Sequence, residues 1–169
     1  MRNHAMRAKN HQNAVQTLGV LGLSLVLLGL LSSCSVGAQT RALLGGKLRT
    51  QVHISEKANA NSPVALDLVL VYNKKLLKEL LRLSAREWFA KRNQYKRDYP
   101  NGEGFDVWEW EWVPGQLVSM QVLPLKAKAR AGIIFADYLS PGDHRARLDP
   151  HQNITIALHE TDFTVQSMK

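Results

Sequence analysis

One cysteine in 169 residues, six prolines and no apolar run longer than the 14 residues from Leu18 to Leu31 are the main scarcities of this sequence. A single thiol makes no internal disulfide, so any folded part must stand on packing alone. The apolar run falls short of the roughly 20 residues that a spanning helix needs. No G-x-S-x-G motif, phosphate-cradling glycine loop or H-E-x-x-H spacing occurs, which leaves hydrolase and nucleotide chemistry without a recognisable set. Of the histidines past the apolar run, His53, His144, His151 and His159, none has a metal-ligand spacing. Asp143, His144, Asp149 and His151 do share one loop-rich stretch. They read either as a loose cation set or, more plainly, as solvated loop residues. The residues therefore predict no enzyme, no catalytic residues, no metal and no bound small molecule.

What the sequence does contain begins at its start. Arg2, Arg7 and Lys9 precede the apolar run without any acid, and Leu31-Ser32-Ser33-Cys34 follows it. A basic segment, an apolar stretch of this length and small residues at its end describe an export signal. Leu-Ser-Ser-Cys resembles the lipobox of bacterial lipoproteins. That resemblance implies that the Cys34 thiol is acylated and becomes the new N-terminus, a covalent lipid being the only added group. The plainer alternative is an ordinary signal followed by an incidental cysteine. Lipoproteins of this type carry three acyl chains, and two or more hold a protein to a bilayer effectively for good. Ser35, rather than the Asp that commonly causes inner-membrane retention, points by the same resemblance to the periplasmic face of the outer membrane. Removal of residues 1–33 leaves 136 residues with 19 basic and 14 acidic side chains, a net charge of +5. Export makes nucleic acid an improbable partner for this basic balance and favours anionic lipid or an acidic protein face. The expected organisation is a signal peptide over 1–33, a lipidated N-terminus and tether over 34–46, and a folded domain over 47–169. Ser35 to Gly46 would span up to about 40 Å when extended.

From Leu48 the apolar period becomes two. Leu48, Val52 and Ile54 mark a half-buried strand, and Val64–Tyr72 (VALDLVLVY) is apolar on most of both faces, as a central strand is. Lys57–Pro63 between them reads as a polar loop. Over Lys74–Arg92 the leucines and Trp88 gather on one side of a helical wheel and Lys74, Lys75, Lys78, Arg82 and Arg86 on the other, predicting one amphipathic helix with a basic face. That face is either a docking surface for anionic headgroups or an acidic partner, or a solvated exterior. In Phe105–Val113, Trp108, Trp110 and Trp112 alternate with Glu109 and Glu111, and read as the inward face of a strand or as an exposed aromatic platform. Pro114-Gly115 predicts a hairpin turn with a returning strand over Leu117–Leu123. Ala131–Leu139, a short edge strand within Asp143–Leu148, Asn153–His159 and Thr161–Gln166 complete the pattern. Seven or eight short strands with one helical insertion predict a mainly β fold, a two-sheet β-sandwich.

Asn59–Tyr72 (NANSPVALDLVLVY), Trp112–Gln116 (WVPGQ) and Gly132–Asp149 (GIIFADYLSPGDHRARLD), in this order behind a lipobox, resemble the TssJ lipoproteins of type VI secretion systems. The similarity covers roughly Leu48–Val165. It implies a transthyretin-like sandwich anchored in the outer membrane, helping to build the envelope-spanning complex by binding the periplasmic domain of the inner-membrane protein TssM. In that family the loop between the first two strands is implicated in the contact. Here the corresponding residues are Glu56, Lys57, Ala58, Asn59, Ala60 and Asn61, which read as a small, flexible surface loop. The basic helix and the alternating tryptophan strand have no counterpart in the family's pattern. The alternatives are a generic outer-membrane lipoprotein that chaperones or pilots another envelope complex and, with less support, an envelope hydrolase.

Overall fold

Val64–Val71 is buried along nearly its whole length, so both of its faces need cover. In the computed structural model, which describes residues 46–168, each face receives a different kind. Eight strands form two four-stranded sheets. In chain order these are β1 (Gly46–Ile54), β2 (Val64–Val71), β3 (Phe105–Trp112), β4 (Gln121–Leu125), β5 (Ala131–Asp137), β6 (Arg145–Leu148), β7 (Ile154–Leu158) and β8 (Phe163–Ser167). The first sheet has the order β4-β1-β7-β8, and the second β3-β2-β5-β6. All pairings are antiparallel except β1 with β7, where Val52 lies beside Ile156.

The inner faces of the two sheets close on one apolar cluster. Leu48, Val52, Ile156 and Leu158 from the first sheet meet Leu66, Leu68, Leu70, Trp112 and Ile134 from the second. Trp108 and Trp110 are half-buried against the same cluster, and the Trp110 and Trp112 rings stack at 5.2 Å. The tryptophan stripe is therefore inward, set by the register that places Leu66 opposite Trp110 and Leu68 opposite Trp108.

The outer face of the second sheet is covered by two helices. Val69, Val71, Ile133 and Phe135 pack against Leu76, Leu80, Leu83 and Trp88, and the Trp88 ring stacks on Phe135 at 5.0 Å. The single helix expected over Lys74–Arg92 is two, α1 (Lys74–Leu80) and α2 (Ala85–Asp98). The break has a local cause. Ser84 accepts from the Glu87 amide, while the Glu87 carboxylate accepts from the Ser84 amide at 2.8 Å, a capping box that starts a new helix. Asn73 caps α1 in the same way, accepting from the amides of Lys75 and Leu76.

The expected hairpin after Pro114-Gly115 does not form. The chain crosses instead to the other sheet, where β4 begins at Gln121 rather than Leu117 and pairs with β1, not β3. Pro114 has no amide proton to offer, Gly115 turns with φ +71°, and its N–H donates to Ser55 O at 3.2 Å on the end of β1. Crossing over lets Leu123 and Leu125 bury in the sandwich core. Among the described residues, 46–168, the strand pairings form two complete sheets with their own two apolar clusters, as a part that folds on its own requires. Among the described residues no helix is long and apolar enough to cross a membrane.

Candidate partner-binding loop

Cys34 and Ser35, the expected lipid anchor and sorting residue, lie outside the described residues. The remaining candidates, Glu56–Asn61, connect β1 to β2 at one end of the sandwich. They do not form the flexible loop expected from composition. Ala58 and Asn59 are buried, and Asn59, Ala60 and Asn61 sit in succession in the left-handed region with φ 48°, 52° and 63°. Asparagine tolerates this conformation and alanine does so only with strain, so the surroundings must enforce it.

The enforcement is a set of hydrogen bonds to three other segments. The Asn59 side-chain amide donates to Pro63 O at 2.8 Å, and its carbonyl oxygen accepts from Leu139 N at 2.7 Å, which ties the loop to the end of β5. Asn59 N–H donates to His159 O and Ala60 N–H to Glu160 O, both at 3.1 Å, which ties it to the turn between β7 and β8. Gly115 N–H, bonded to Ser55 O, brings in the crossover after β3. Composition hid this arrangement because Asn59 looks like any loop asparagine. The usable signal was the pair of asparagines flanking Ala60 just before Ser62-Pro63, a pattern suited to left-handed backbone.

What the loop offers outward is therefore a rigid frame carrying four exposed side chains, Glu56, Lys57, Ala60 and Asn61. Such a surface is already ordered before a partner arrives, so docking on it costs little conformational entropy.

Beside it His144, which the sequence grouped with Asp143, Asp149 and His151, takes other partners. His144 is buried, stacks on Tyr138 at 5.0 Å, and places Nδ1 at 3.0 Å from Asp162 Oδ1. Ser140 Oγ stands 3.4 Å from Nε2. A Ser-His-Asp row suggests nucleophilic chemistry, but the closer contacts rule against it. Nε2 lies 2.8 Å from the Ser140 carbonyl oxygen, closer than Oγ at 3.4 Å, so the ring is seated on the backbone acceptor rather than on the hydroxyl. The Ser140 hydroxyl donates to Thr161 O at 2.5 Å. These residues fasten the β5–β6 turn to the β7–β8 turn. His144 is thereby engaged away from Asp149 and His151, and the loose cation set read from the sequence does not assemble. Among the described residues no group of three or more His, Cys, Asp or Glu side chains could hold a metal ion.

No family model matches the chain, and no curated protein does. Solved structures do match. The T6SS lipoprotein TssJ1 from Pseudomonas aeruginosa aligns with a TM-score of 0.58 at 14% identity, over 74% of this chain and 98% of that one. Lip from Serratia marcescens, a membrane bound component of the type VI secretion system, aligns with 0.56 at 14% identity, over 75% and 99%. A chain of the structure of the T6SS protein TssM C-terminal domain from EAEC aligns with 0.50 at 15% identity, over 73% and 98%. Two four-stranded sheets with helices on one outer face, matched over nearly the full length of these chains, give the protein the fold of the TssJ lipoproteins.

Proposed function

We propose that this chain is an outer-membrane lipoprotein, held at the periplasmic face by lipid on Cys34, whose folded domain binds the periplasmic domain of a TssM-like inner-membrane protein and so helps to assemble a type VI secretion membrane complex. The observation that carries the reading is the order of its parts: a Leu-Ser-Ser-Cys34 lipobox followed by Ser35 and then a TssJ-like sandwich. The solved structures of similar fold are named as a lipoprotein and a membrane bound component of that system, and one carries the name of TssM. The role is a non-catalytic one of attachment and positioning. Lipid supplies the hold, and the domain's own contacts need only place the partner.

Two measurements test it. Mass spectrometry of the membrane fraction should find acyl chains on Cys34, and Cys34→Ser should release the protein from the outer membrane. An unmodified Cys34, or a Cys34→Ser protein still in that fraction, contradicts the anchor. The lipid-free domain, residues 35–169, should capture the periplasmic segment of the TssM-like protein. Replacing the exposed Glu56, Lys57, Ala60 and Asn61 together, while keeping the buried Ala58 and Asn59, should weaken capture with the melting temperature little changed. No capture by a folded domain would favour a generic lipoprotein that chaperones or pilots another envelope complex.

A further inference from the structure

The two helices are where the domain keeps its positive charge. Lys74–Asp98 holds nine basic and three acidic side chains, a net of +6, while the rest of the described residues hold eight basic and eleven acidic, a net of −3. The acids within the helical segment are engaged. Glu79 accepts from the Tyr95 hydroxyl, Glu87 closes the capping box, and Asp98 accepts from Gln94. Lys74, Lys75, Lys78, Arg82 and Arg86 are exposed and form no ion pair among the described residues. The apolar sides of both helices are spent on the sheet, through Leu76, Leu80, Leu83 and Trp88. No large apolar side chain of the helices is left exposed, so this layer has charge to offer and nothing to insert.

We infer that the outer face of α1 and α2 is a second, purely electrostatic membrane contact that docks on anionic phospholipid headgroups and orients the domain on the bilayer that holds its lipid. The occupant follows from complementarity and reach. A net positive layer opposite a net negative remainder is a dipole that turns toward an anionic plane. The 11 residues between Cys34 and β1 keep that plane within about 40 Å, so a weak contact operates at high effective concentration. The inference rests on the Cys34 anchor for its setting in the cell but not for its test, which needs no lipidated protein.

The probe is a vesicle of phosphatidylglycerol mixed with phosphatidylcholine, against pure phosphatidylcholine, sedimented with the lipid-free domain, residues 35–169. Binding should appear on the anionic vesicles only. It should fall steeply as the Debye length shrinks from about 30 Å at 0.01 M to about 8 Å at 0.15 M salt. Lys78→Glu with Arg82→Glu should weaken it by about tenfold or more. Lys47→Glu with Arg49→Glu, an equal change of net charge on the exposed side of the other sheet, should weaken it far less. Absence of binding by the folded domain, equal binding to both vesicles, or equal loss in the two variants would overturn the inference. So would a helix-face variant that binds vesicles normally but no longer captures the TssM-like segment, since the face would then be a protein interface. Failure here leaves capture through Glu56–Asn61 untouched, and the two readings fail separately.

Discussion

The two faces of the sheet β3-β2-β5-β6 are built from the same strands and covered by different partners. On the inner face Leu66, Leu68, Leu70 and Ile134 meet a second sheet, and the carboxylate on that face, Asp106 opposite Leu70, sits at the end of the strand where Tyr72 and Lys126 reach it. On the outer face Val69, Val71, Ile133 and Phe135 meet helices, and there Asp67 is fully buried. Its carboxylate accepts from Trp88 Nε1 at 2.8 Å and from Arg92 at 3.2 Å. Arg92 reaches it from a rim position with its side chain 31% exposed. Between the two sheets the carboxylate is kept to the edge, Asp106 with its side chain 23% exposed, whereas Asp67 lies under the helices. A helix layer one element thick lets a long cation keep its head near solvent while neutralising the carboxylate beneath it.

Removing the aromatic anchor of each face sharpens the comparison most. Trp88→Ala should cost about 4–5 kcal/mol, because it empties the centre of the helix layer and strips Asp67 of its indole donor. Trp112→Ala, with no polar partner, should cost about 3–4 kcal/mol, and half-buried Trp110→Ala less, by denaturant unfolding. If Trp112→Ala proved the costlier, the helix layer would be an accessory to the sandwich rather than its equal.

Next in size is the clasp at the end of the sandwich. Asn59→Ala leaves the Leu139 N–H without its acceptor and puts alanine at φ 48°, for about 2–4 kcal/mol. The same substitution at exposed Asn61 should fall within about 1 kcal/mol.

Asp67 gives a pH signature. Burial pushes its carboxyl above the ordinary value of 3.8, against the opposing pull of Trp88 and Arg92. A raised folded value means that the native state holds the proton longer than the unfolded chain does. The stability linked to this site is then fully present below about 3.8 and lost as pH rises through the folded value. The stability of wild type relative to Asp67→Asn should accordingly decline as pH rises from that point. A difference that grows with pH would show that Arg92 outweighs desolvation.

The smallest effect expected is a gain. Ala60→Gly relieves a left-handed alanine at the expense of a more flexible unfolded chain, and should stabilise by about 0.5 kcal/mol.

Much of this was legible beforehand. Period-two alternation in Phe105–Trp112 and Ile154–Leu158 marks strands, because a strand's side chains must alternate whatever it pairs with, but alternation alone does not say that the tryptophans face inward. Ser84-Ala-Arg-Glu87 already encoded the break between α1 and α2, although the leucine stripe running through it obscured the signal. Local chemistry of this sort is what the sequence by itself determined. Only the tertiary structure decided which edge β4 joins, because Leu123 and Leu125 fit the apolar pattern of either sheet and the choice is made by packing across the core. It also decided that Asn59 is a buried clasp rather than a loop residue. Its three partners, Pro63, Leu139 and the β7–β8 turn, lie as far as a hundred residues away along the chain, a distance that no local pattern spans.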